Sequence, residues 1–550
     1  MNTNTYTQES VYLQQEIPPL AKIFGDHLKQ LSNLPLMEVI GIRLVAARNN
    51  GDSFIILDET EVETVKNSTL CDGEAPLLVL DGNKLYLFRE FRNELNLAQK
   101  IAERLNAPSP AHTFSDEQIM SAFKQTPNED QFAAVKNSLS GNFSIITGGP
   151  GTGKTTIIAA LVALEYKRNP NIIIEVAAPT GKAAELLTAG LTAACPEYPI
   201  RAKTLHSLFR AVPGTGKFNK NSASPLECDL LIVDECSMIS LDVAAKMFNG
   251  LPPQTRVVLS GDHRQLEAIG SGAVLSSLLT FDSNGSKTAG KLRSAGVELS
   301  INYRSKLAPA IQDLAKAIRE KIPDAELCSR ICSTASANYT FKTISSNTER
   351  EILDAAFEHW HTLPAAASEM TPESVKKAFG LLKSFRIITA MRVGKDGCSS
   401  LNQKILSRLG MNGRYSPGSA LLITRNCRRT GLANGDVGIV FADKEKGGVK
   451  VWFENLPQPL QIHELPEHES AFAMTVHKAQ GSGFKKVCFP MPKAENPLLT
   501  RELFYTALTR AELHIVIFGS PDSVMAALTR ESCRMTRLAE RTISYLQPKL

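Results

Sequence analysis

A glycine-rich loop between an apolar run and a helical segment holds the residues best suited to bind phosphate. The loop and the residue after it are Gly148, Gly149, Pro150, Gly151, Thr152, Gly153, Lys154, Thr155 and Thr156. Glycines let successive backbone N–H groups turn toward phosphate oxygens, and the following helix N-terminus adds partial positive charge. Lys154 is expected to reach the β- and γ-phosphates, and Thr155 to give a hydroxyl to Mg²⁺. The loop therefore predicts a site for ATP with Mg²⁺.

A pair of acids downstream supplies the groups that hydrolysis needs. Asp234 ends an apolar run and places a carboxylate where Mg²⁺ would bind, and Glu235 can orient and deprotonate water. Two acids after a strand can also be a simple helix cap, but the phosphate loop favours hydrolysis. Gln265 could reach the γ-phosphate or the attacking water. Arg304 and Arg510 are candidates to neutralise transition-state charge, although either alone is more often a surface ion pair.

The elements that must position these residues are short apolar runs alternating with helical segments. Predicted strands lie at 143–147, 172–180, 229–234 and 256–262, and the later half repeats the style at 385–391, 486–491 and 514–518. Continuous apolar strands between helices predict a parallel sheet covered on both faces. Residues 416–470 differ, because closely spaced strand-like runs are separated by NGD, KGG and PQP turns. That pattern predicts a small antiparallel barrel inserted in an α/β domain.

Composition excludes some classes of protein and leaves others open. The chain has 550 residues, with 43% hydrophobic residues, 21% charged residues and a net charge of +5. The sequence contains no run of about 18 apolar residues, so no membrane span is expected. The N-terminus does not resemble a secretory signal. Five basic residues and no acidic one lie within 201–226, and Arg425, Arg428 and Arg429 form a second cluster. Charge runs are usually solvated faces, so these patches alone do not establish nucleic-acid binding.

The ten cysteines are scattered and form no C-x-x-C pair, which predicts reduced thiols in the cytoplasm. Cys328 and Cys332, one helical turn apart, could join Cys398 and Cys427 around a metal. Without paired ligand spacing, unrelated buried thiols are the favoured interpretation.

The order of the motifs resembles that of superfamily 1 helicases. The motifs are GGPGTGKTT, APTGKAAELL, TLHSLF, LLIVDECSM, LSGDHRQLEAIGSG, NYRS, TVHKAQGS and YTALTRA. The likeness is greatest to the RecD branch, the alpha subunits of exodeoxyribonuclease V (the RecBCD complex), and it covers the chain from about residue 80 onward. Segments near residues 81, 423 and 465 support that branch. The resemblance implies a 5′ to 3′ DNA helicase in a heterotrimer with RecB-like and RecC-like subunits, acting on duplex ends in recombinational repair.

Carried onto this chain, the resemblance implies further site residues. Gln131 is similar to the residue that reads adenine, and Arg304 and Arg510 resemble two arginine fingers. The positions that resemble DNA contacts are Pro179, Thr180, Lys182, Thr204 and His206 in the first lobe, and Thr475, His477, Gln480 and Ser482 in the second. His206 and Phe209 are candidates for stacking on bases, and Phe209 is as readily a core residue.

Three positions depart from the family pattern. Gly483 stands where an acid is usual, which puts a DNA contact or its coupling in question. Glu512 stands where a basic residue is usual, so one positive charge near the cleft is missing. Cys236 replaces a commoner alanine, where a small buried residue should be harmless.

The predicted architecture is α/β, with two RecA-like P-loop NTPase lobes and ATP in the cleft between them. Residues 1–115 form a separate N-terminal partner-docking domain, 116–321 the first lobe, and 322–550 the second lobe with an SH3-like β-barrel at about 416–470. A free-standing 5′ to 3′ helicase, an RNA helicase and a non-catalytic assembly subunit remain alternatives. No spaced carboxylates and lysine suggest a nuclease, so DNA cleavage is expected from a partner chain.

Overall fold

The computed structural model describes residues 18–547, except 75, 109–113, 282–286, 304–307, 321, 323, 334, 428, 445–446 and 533. Arg304, Arg428 and Cys533, which figure in the predictions above, lie outside the described residues. Within the part of the chain that is described, no helix is both long and apolar enough to cross a membrane.

The N-terminal part contains a small antiparallel sheet with helices packed around it. Its helices are α1 (Pro19–Ser32), α2 (Leu36–Asn49), α3 (Glu59–Asn67) and α4 (Phe88–Asn106). Its strands are β1 (Phe54–Ile56), β2 (Leu78–Asp81) and β3 (Lys84–Leu87), in spatial order β1-β3-β2. A separate apolar core that includes Leu28, Ile40 and Leu85 holds this part together.

The first large sheet has six strands, all parallel to their neighbours. The strands of this region are β4 (Phe143–Gly148), β5 (Ile174–Ala178), β6 (Lys203–Thr204), β7 (Ala211–Val212), β8 (Lys217–Phe218), β9 (Leu230–Val233), β10 (Arg256–Gly261) and β11 (Gly296–Leu299). The sheet order is β11-β4-β10-β9-β5-β6, and β7 and β8 form a separate hairpin. The four strands predicted from the sequence are confirmed within two residues.

Helices cover both faces of this sheet. They are α5 (Asp116–Ser121), α6 (Glu129–Ser140), α7 (Lys154–Arg168), α8 (Gly181–Ala194), α9 (Leu205–Leu208), α10 (Leu241–Asn249), α11 (Val274–Leu279) and α12 (Lys287–Ser294). Leu231 and Val233 of β9 belong to one buried core, whereas Leu230 and Ile232 belong to another. Because alternate residues of a strand point to opposite faces, both faces are covered, as the continuous apolar runs predict.

The second large sheet repeats the arrangement, with helices α13 (Pro309–Arg319), α14 (Asp324–Ser333), α15 (Thr348–Trp360), α16 (Leu363–Ala366), α17 (Pro372–Ser384), α18 (Cys398–Arg408), α19 (Val476–Ala479), α20 (Arg501–Leu508) and α21 (Pro521–Thr529). The strands of this half are β12 (Ala335–Ser336), β13 (Tyr339–Thr343), β14 (Phe385–Thr389), β15 (Ala420–Ile423), β16 (Val437–Ala442), β17 (Val449–Phe453), β18 (Leu460–Gln461), β19 (His468–Ser470), β20 (Ala473–Thr475), β21 (Phe484–Pro490) and β22 (Ala511–Gly519). The sheet order is β12-β13-β22-β21-β14-β20, parallel except for the first pair.

A five-stranded antiparallel sheet is inserted between β14 and β20. Its order is β18-β17-β16-β15-β19, and a small apolar core that includes Leu421, Val440 and Phe453 lies within it. The sequence pattern of short strands and tight turns therefore locates an antiparallel insertion where it occurs.

Packing crosses two of the predicted domain boundaries. Leu97 and Ile101 of α4 lie in the core of the first large sheet, together with Leu538 and Leu546 of the last helix, α22 (Leu538–Leu546). Helices α4 and α22 thus complete the core of the first lobe, although the sequence placed them in the N-terminal domain and the second lobe. Apolar periodicity identifies a helix but cannot say which sheet its buried face covers.

Candidate active site and nucleic-acid interface

The phosphate loop joins the carboxyl end of β4 to the start of α7. Gly151 and Gly153 have φ angles of 84° and 89°, in the left-handed region that glycine adopts without strain. A Cβ atom at Gly153 would lie 2.4 Å from the side-chain nitrogen of Gln131. The glycine spacing is therefore needed both for the backbone path and for close packing.

Lys154 bends back over this loop. Its Nζ donates hydrogen bonds to the carbonyl oxygens of Gly148, at 2.6 Å, and Gly149, at 3.2 Å. Thr155 and Thr156 follow in the first turn of α7 and line the same cleft. Since hydrogen bonds to a charged acceptor are stronger than those to a neutral carbonyl, a phosphate could draw Lys154 away from these contacts.

Two acidic residues, Asp234 and Glu235, directly follow β9 beside the phosphate loop. Asp234 is buried, and one of its oxygens accepts a hydrogen bond from Ser260 Oγ at 2.7 Å. Burial raises the pKa of Glu235 and the negative charge of Asp234 adds to the effect, while Lys154 and Arg510 oppose it. A higher pKa makes Glu235 a better proton acceptor, which suits a general base.

Arg510 enters this site from the second lobe. Its Nη2 donates to Gln265 Oε1 at 3.3 Å, and its Nη1 donates to the carbonyl oxygen of Ser482 at 3.1 Å. Arg510 and Gln265 are 4% and 2% exposed, so this contact between the lobes is shielded from water. The cleft between the lobes has a volume of about 820 Å³ and is lined by the phosphate loop, both carboxylates, Gln265 and Arg510.

Two residues that the sequence analysis did not single out complete the link. The buried Tyr505 donates to Asp262 Oδ2 at 3.0 Å, and Gln265 Nε2 donates to the same oxygen at 3.0 Å. Tyr505 and Arg510 lie five residues apart at the end of α20, so one segment of the second lobe supports both ends of the Gln265 side chain. Two features of the sequence could have identified these residues. Tyr505 belongs to the same motif as Arg510, and Asp262 lies at the end of a strand beside the phosphate loop.

Gln131, predicted to read adenine, is buried beneath the phosphate loop. Its Nε2 donates to the Thr152 carbonyl at 3.2 Å, and its Oε1 accepts hydrogen bonds from the Asn128 backbone at 3.2 Å and the Tyr303 hydroxyl at 3.4 Å. Both ends of the amide are therefore engaged within the protein. Its role toward adenine stays a prediction.

The predicted DNA contacts of the first lobe follow the ends of two neighbouring strands. Thr180, which follows Pro179, caps α8 by accepting from the Ala183 backbone at 3.2 Å, and Thr204 caps α9 in the same way at 3.1 Å. Because β5 and β6 are adjacent and parallel, these helix N-termini lie on one edge of the sheet. Such termini favour anionic ligands, of which DNA phosphates are one kind.

The side chains around these caps differ in their exposure. His206 is exposed, whereas Phe209 is fully buried, so of the two stacking candidates Phe209 belongs to the core. Lys182 is partly exposed and forms an ion pair of 3.0 Å with Glu185. Exposed ion pairs of this kind are weak, so Lys182 can be recruited by a phosphate.

In the second lobe, three of the four predicted DNA contacts are accessible. Thr475, His477 and Ser482 are partly exposed. Gln480 differs, because it is buried and its Nε2 donates to the Leu266 carbonyl at 2.7 Å. In this structure Gln480 therefore makes a contact between the lobes, and its role toward DNA stays a prediction. The reason is tertiary, since the residue that follows Gln265 approaches Gln480 only when the lobes pack together.

A groove of about 1520 Å³ runs between the first lobe and the antiparallel insertion. Basic side chains along it are Arg201, Lys203, Arg210, Lys217 and Arg425. Thr204 and His206 line the same groove, so the basic segment of the sequence meets the predicted DNA contacts there. Arg425 of the second basic cluster thus lines the same groove as four residues of the first, although they are far apart along the chain.

The departures Gly483 and Glu512 touch one another. A Cβ atom at Gly483 would lie 2.4 Å from a carboxylate oxygen of Glu512. Position 483 lacks the usual acidic side chain, and position 512, beside it in space, has an acidic side chain in place of a basic one. A carboxylate is therefore still present at this corner of the cleft. Cys236 is buried in the core of the first lobe, as a small residue there is expected to be.

The donor set fits Mg²⁺ without a preformed cage. Among the described residues, no cluster of three or more His, Cys, Asp or Glu side chains could hold a metal ion, which includes the described members of the cysteine group considered above. Mg²⁺ usually binds one or two carboxylates together with phosphates and water. Asp234 and the hydroxyl of Thr155 line the phosphate cleft and would supply the protein's share.

Comparison with known families defines the class of protein. The AAA domain family matches residues 131–271, and the UvrD-like helicase C-terminal domain family matches residues 470–518. The first match spans the phosphate loop, both carboxylates and Gln265, and the second spans Arg510. The chain is an ATP-dependent helicase of superfamily 1.

Comparison with whole proteins gives the family within that class. The RecBCD enzyme subunit RecD of Mycolicibacterium smegmatis is 32% identical over 85% of this chain and 84% of that protein. The RecD subunit of Haemophilus influenzae is 29% identical, covering 83% and 80%. The ATP-dependent RecD2 DNA helicase of Deinococcus radiodurans is 27% identical over 87% of this chain but only 62% of that protein. The chain belongs to the RecD family.

Proposed function

We propose that this chain is the 5′ to 3′ DNA-translocating motor subunit of a helicase–nuclease complex that processes double-strand DNA ends for recombinational repair. RecB-like and RecC-like chains would be its partners in a heterotrimer. The observation that carries the motor function is the hydrogen bond from Arg510 of one lobe to Gln265 of the other, inside a cleft with Lys154 and Glu235.

The geometry supports a division of roles in hydrolysis. Lys154 would bind the β- and γ-phosphates, and Asp234 with Thr155 would hold Mg²⁺. Glu235 would take a proton from the attacking water, which Gln265 orients. Arg510 would neutralise charge as the γ-phosphate leaves, and Arg304 is proposed as the second arginine on the family resemblance.

Movement along DNA would follow from contacts that exist only between the lobes. Gln480 and Tyr505 of the second lobe reach the segment around Gln265, so a change at the γ-phosphate alters how the lobes meet. A strand lying over Thr180 and Thr204 of the first lobe and Thr475 of the second would be gripped by one lobe at a time. Binding should depend mainly on backbone charge, with stacking on His206, and should weaken with salt.

We propose the domain roles from sequence and packing together. Residues 1–115 would carry the docking surface for a partner, 116–321 the first RecA-like lobe, and 322–550 the second, with 416–470 as an SH3-like barrel beside the DNA groove. The nine described cysteines are free thiols, which fits a protein of the reducing cytoplasm.

Three alternatives remain. A free-standing 5′ to 3′ helicase is the runner-up, supported by the likeness to the Deinococcus protein, but this chain spans only 62% of that protein. A non-catalytic assembly subunit would not need to keep Lys154, Asp234 and Gln265 together in one site. An RNA helicase stays third, because the named relatives are DNA enzymes.

The test combines purification with polarity. A tagged chain purified from its native source should recover two much larger chains. The complex should hydrolyse ATP faster with single-stranded DNA and unwind duplexes with 5′ tails through this subunit, measured with the companion motor inactivated. Recovery of an active chain alone would favour the runner-up. Unwinding only from 3′ tails would contradict the polarity.

A further inference from the structure

A segment between α21 and α22 ties three parts of the molecule together. After α21 the chain leaves the second lobe and reaches the N-terminal part, and α22 then packs in the first-lobe core. Arg534 lies at the crossing point, with 12% of its side chain exposed. We call residues 534–537 the strap.

On one side, Arg534 holds the loop that follows Gln265. Its Nε forms an ion pair of 2.8 Å with Glu267, whose side chain is 9% exposed, and its Nη1 donates to the carbonyl oxygens of Gly270 at 3.0 Å and Gly272 at 3.4 Å. Glu267 is two residues from Gln265. Arg534 therefore restrains the segment that carries the water-orienting side chain.

On the other side, the strap is bound to the N-terminal part. The Met535 backbone donates to Asp52 Oδ1 at 2.8 Å and accepts from the Ser53 backbone at 2.8 Å. Gly51 has a φ of 99°, and a Cβ atom there would lie 2.4 Å from Arg534 Nε. The Gly51 carbonyl also accepts from the Gly272 backbone at 2.7 Å. A side chain at Gly51 would thus displace Arg534.

The second lobe reaches the same junction. Glu502 of α20 accepts a hydrogen bond from the Ser532 backbone at 2.9 Å, and burial together with the positive charge of Arg534 lowers the pKa of His477. Burial also lowers the pKa of Arg534, while Glu267 and Asp52 oppose that effect. Arg534 pairs with Glu267, and a buried arginine that loses its carboxylate partner is costly.

We propose that Arg534 is a positioning residue that transmits the placement of the N-terminal domain to the Gln265 loop, and so sets how strongly DNA stimulates ATP hydrolysis. The proposal rests on the motor function above. It means that the N-terminal domain takes part in the motor's regulation, because whatever shifts Gly51 and Asp52 shifts the Arg534–Glu267 pair. A protein docked on this domain would have a direct route to the ATP site.

A pair of glycines allows a matched test. Gly51 and Gly73 both lie in the N-terminal part with φ of 99° and 92°, but no atom lies within 4 Å of a Cβ at Gly73. Gly51→Ala and Gly73→Ala therefore impose similar backbone strain, and only the first collides with Arg534. Arg534→Lys, which keeps the charge but loses the forked contacts to Gly270 and Gly272, is the third variant.

ATPase rates with and without single-stranded DNA are measured in the intact complex, with the companion motor inactivated, alongside thermal unfolding. We expect Gly51→Ala and Arg534→Lys to lower the ratio of DNA-stimulated to basal rate about fivefold, the low end of typical site-to-site coupling. Gly73→Ala should lose comparable stability and keep the ratio. An unchanged ratio in both test variants, or an equal loss in Gly73→Ala, would overturn the proposal. A wild-type protein without DNA stimulation would instead refute the motor function itself.

Discussion

On the first-lobe side of the ATP cleft, the functional residues lie at the ends of neighbouring strands and in the loop between β4 and α7. On the second-lobe side, they lie at the end of α20 and act through side chains of the opposite lobe. Phosphate binding should therefore be a property of one lobe, whereas hydrolysis requires both. Four experiments can break or sharpen this contrast.

Lys154→Gln should have the largest effect and reduce ATPase and unwinding to the assay background. It removes the charge that the loop aims at the β- and γ-phosphates. Lys167→Gln, at an exposed position on the same helix, is the matched control and should retain normal rates. Near-normal ATPase of Lys154→Gln with single-stranded DNA present would show that the site is elsewhere.

Glu235→Gln should still bind nucleotide but hydrolyse it ~10²–10⁴-fold more slowly, as loss of a general base typically does. Asp234→Ala should instead weaken binding of ATP with Mg²⁺. Nucleotide affinity by calorimetry and single-turnover hydrolysis separate the two effects. If Glu235→Gln lost affinity and kept its turnover, the roles of the two acids would be reversed.

Tyr505→Phe tests the second lobe and should lower kcat by up to about tenfold with little change in KM for ATP. The variant loses one buried hydrogen bond to Asp262, worth roughly 1 kcal/mol, and with it part of the support for Gln265. Tyr339→Phe is the control, because its buried hydroxyl donates to the Ile331 carbonyl at 2.7 Å in the same lobe. A similar loss of kcat in both variants would mean that only stability is affected.

Gly483→Glu should have the smallest effect. The new side chain would meet Glu512, so two carboxylates would repel one another, and ATP consumed per base pair unwound should rise by roughly twofold with affinity for single-stranded DNA changed less. Gly483→Glu combined with Glu512→Ala should return that ratio toward wild type. A large loss of affinity for single-stranded DNA, with unchanged ATP consumption per base pair unwound, would contradict this expectation. Restoration of an absent DNA-stimulated ATPase by Gly483→Glu alone would support the assembly-subunit alternative.

Prediction from sequence succeeded where function depends on local pattern. The phosphate loop needs glycines at fixed spacing, and the strands of both large sheets are continuous apolar runs, so both can be identified without knowledge of their neighbours. The antiparallel insertion was located by its turns for the same reason. Gln480 shows what local pattern does not encode, since packing between the lobes brings it to the Leu266 carbonyl.

The sequence by itself predicts the chemistry of the ATP site, because Lys154, Asp234 and Glu235 lie in segments whose residue types and order are typical of it. It also determined the family, through motifs that run the length of the chain. Only the tertiary structure decided which residues support Gln265, that Gly483 faces Glu512, and that helices α4 and α22 complete the core of the first lobe. Those relations join residues separated by up to hundreds of positions, and they arise from how the lobes pack against one another, which no local pattern encodes.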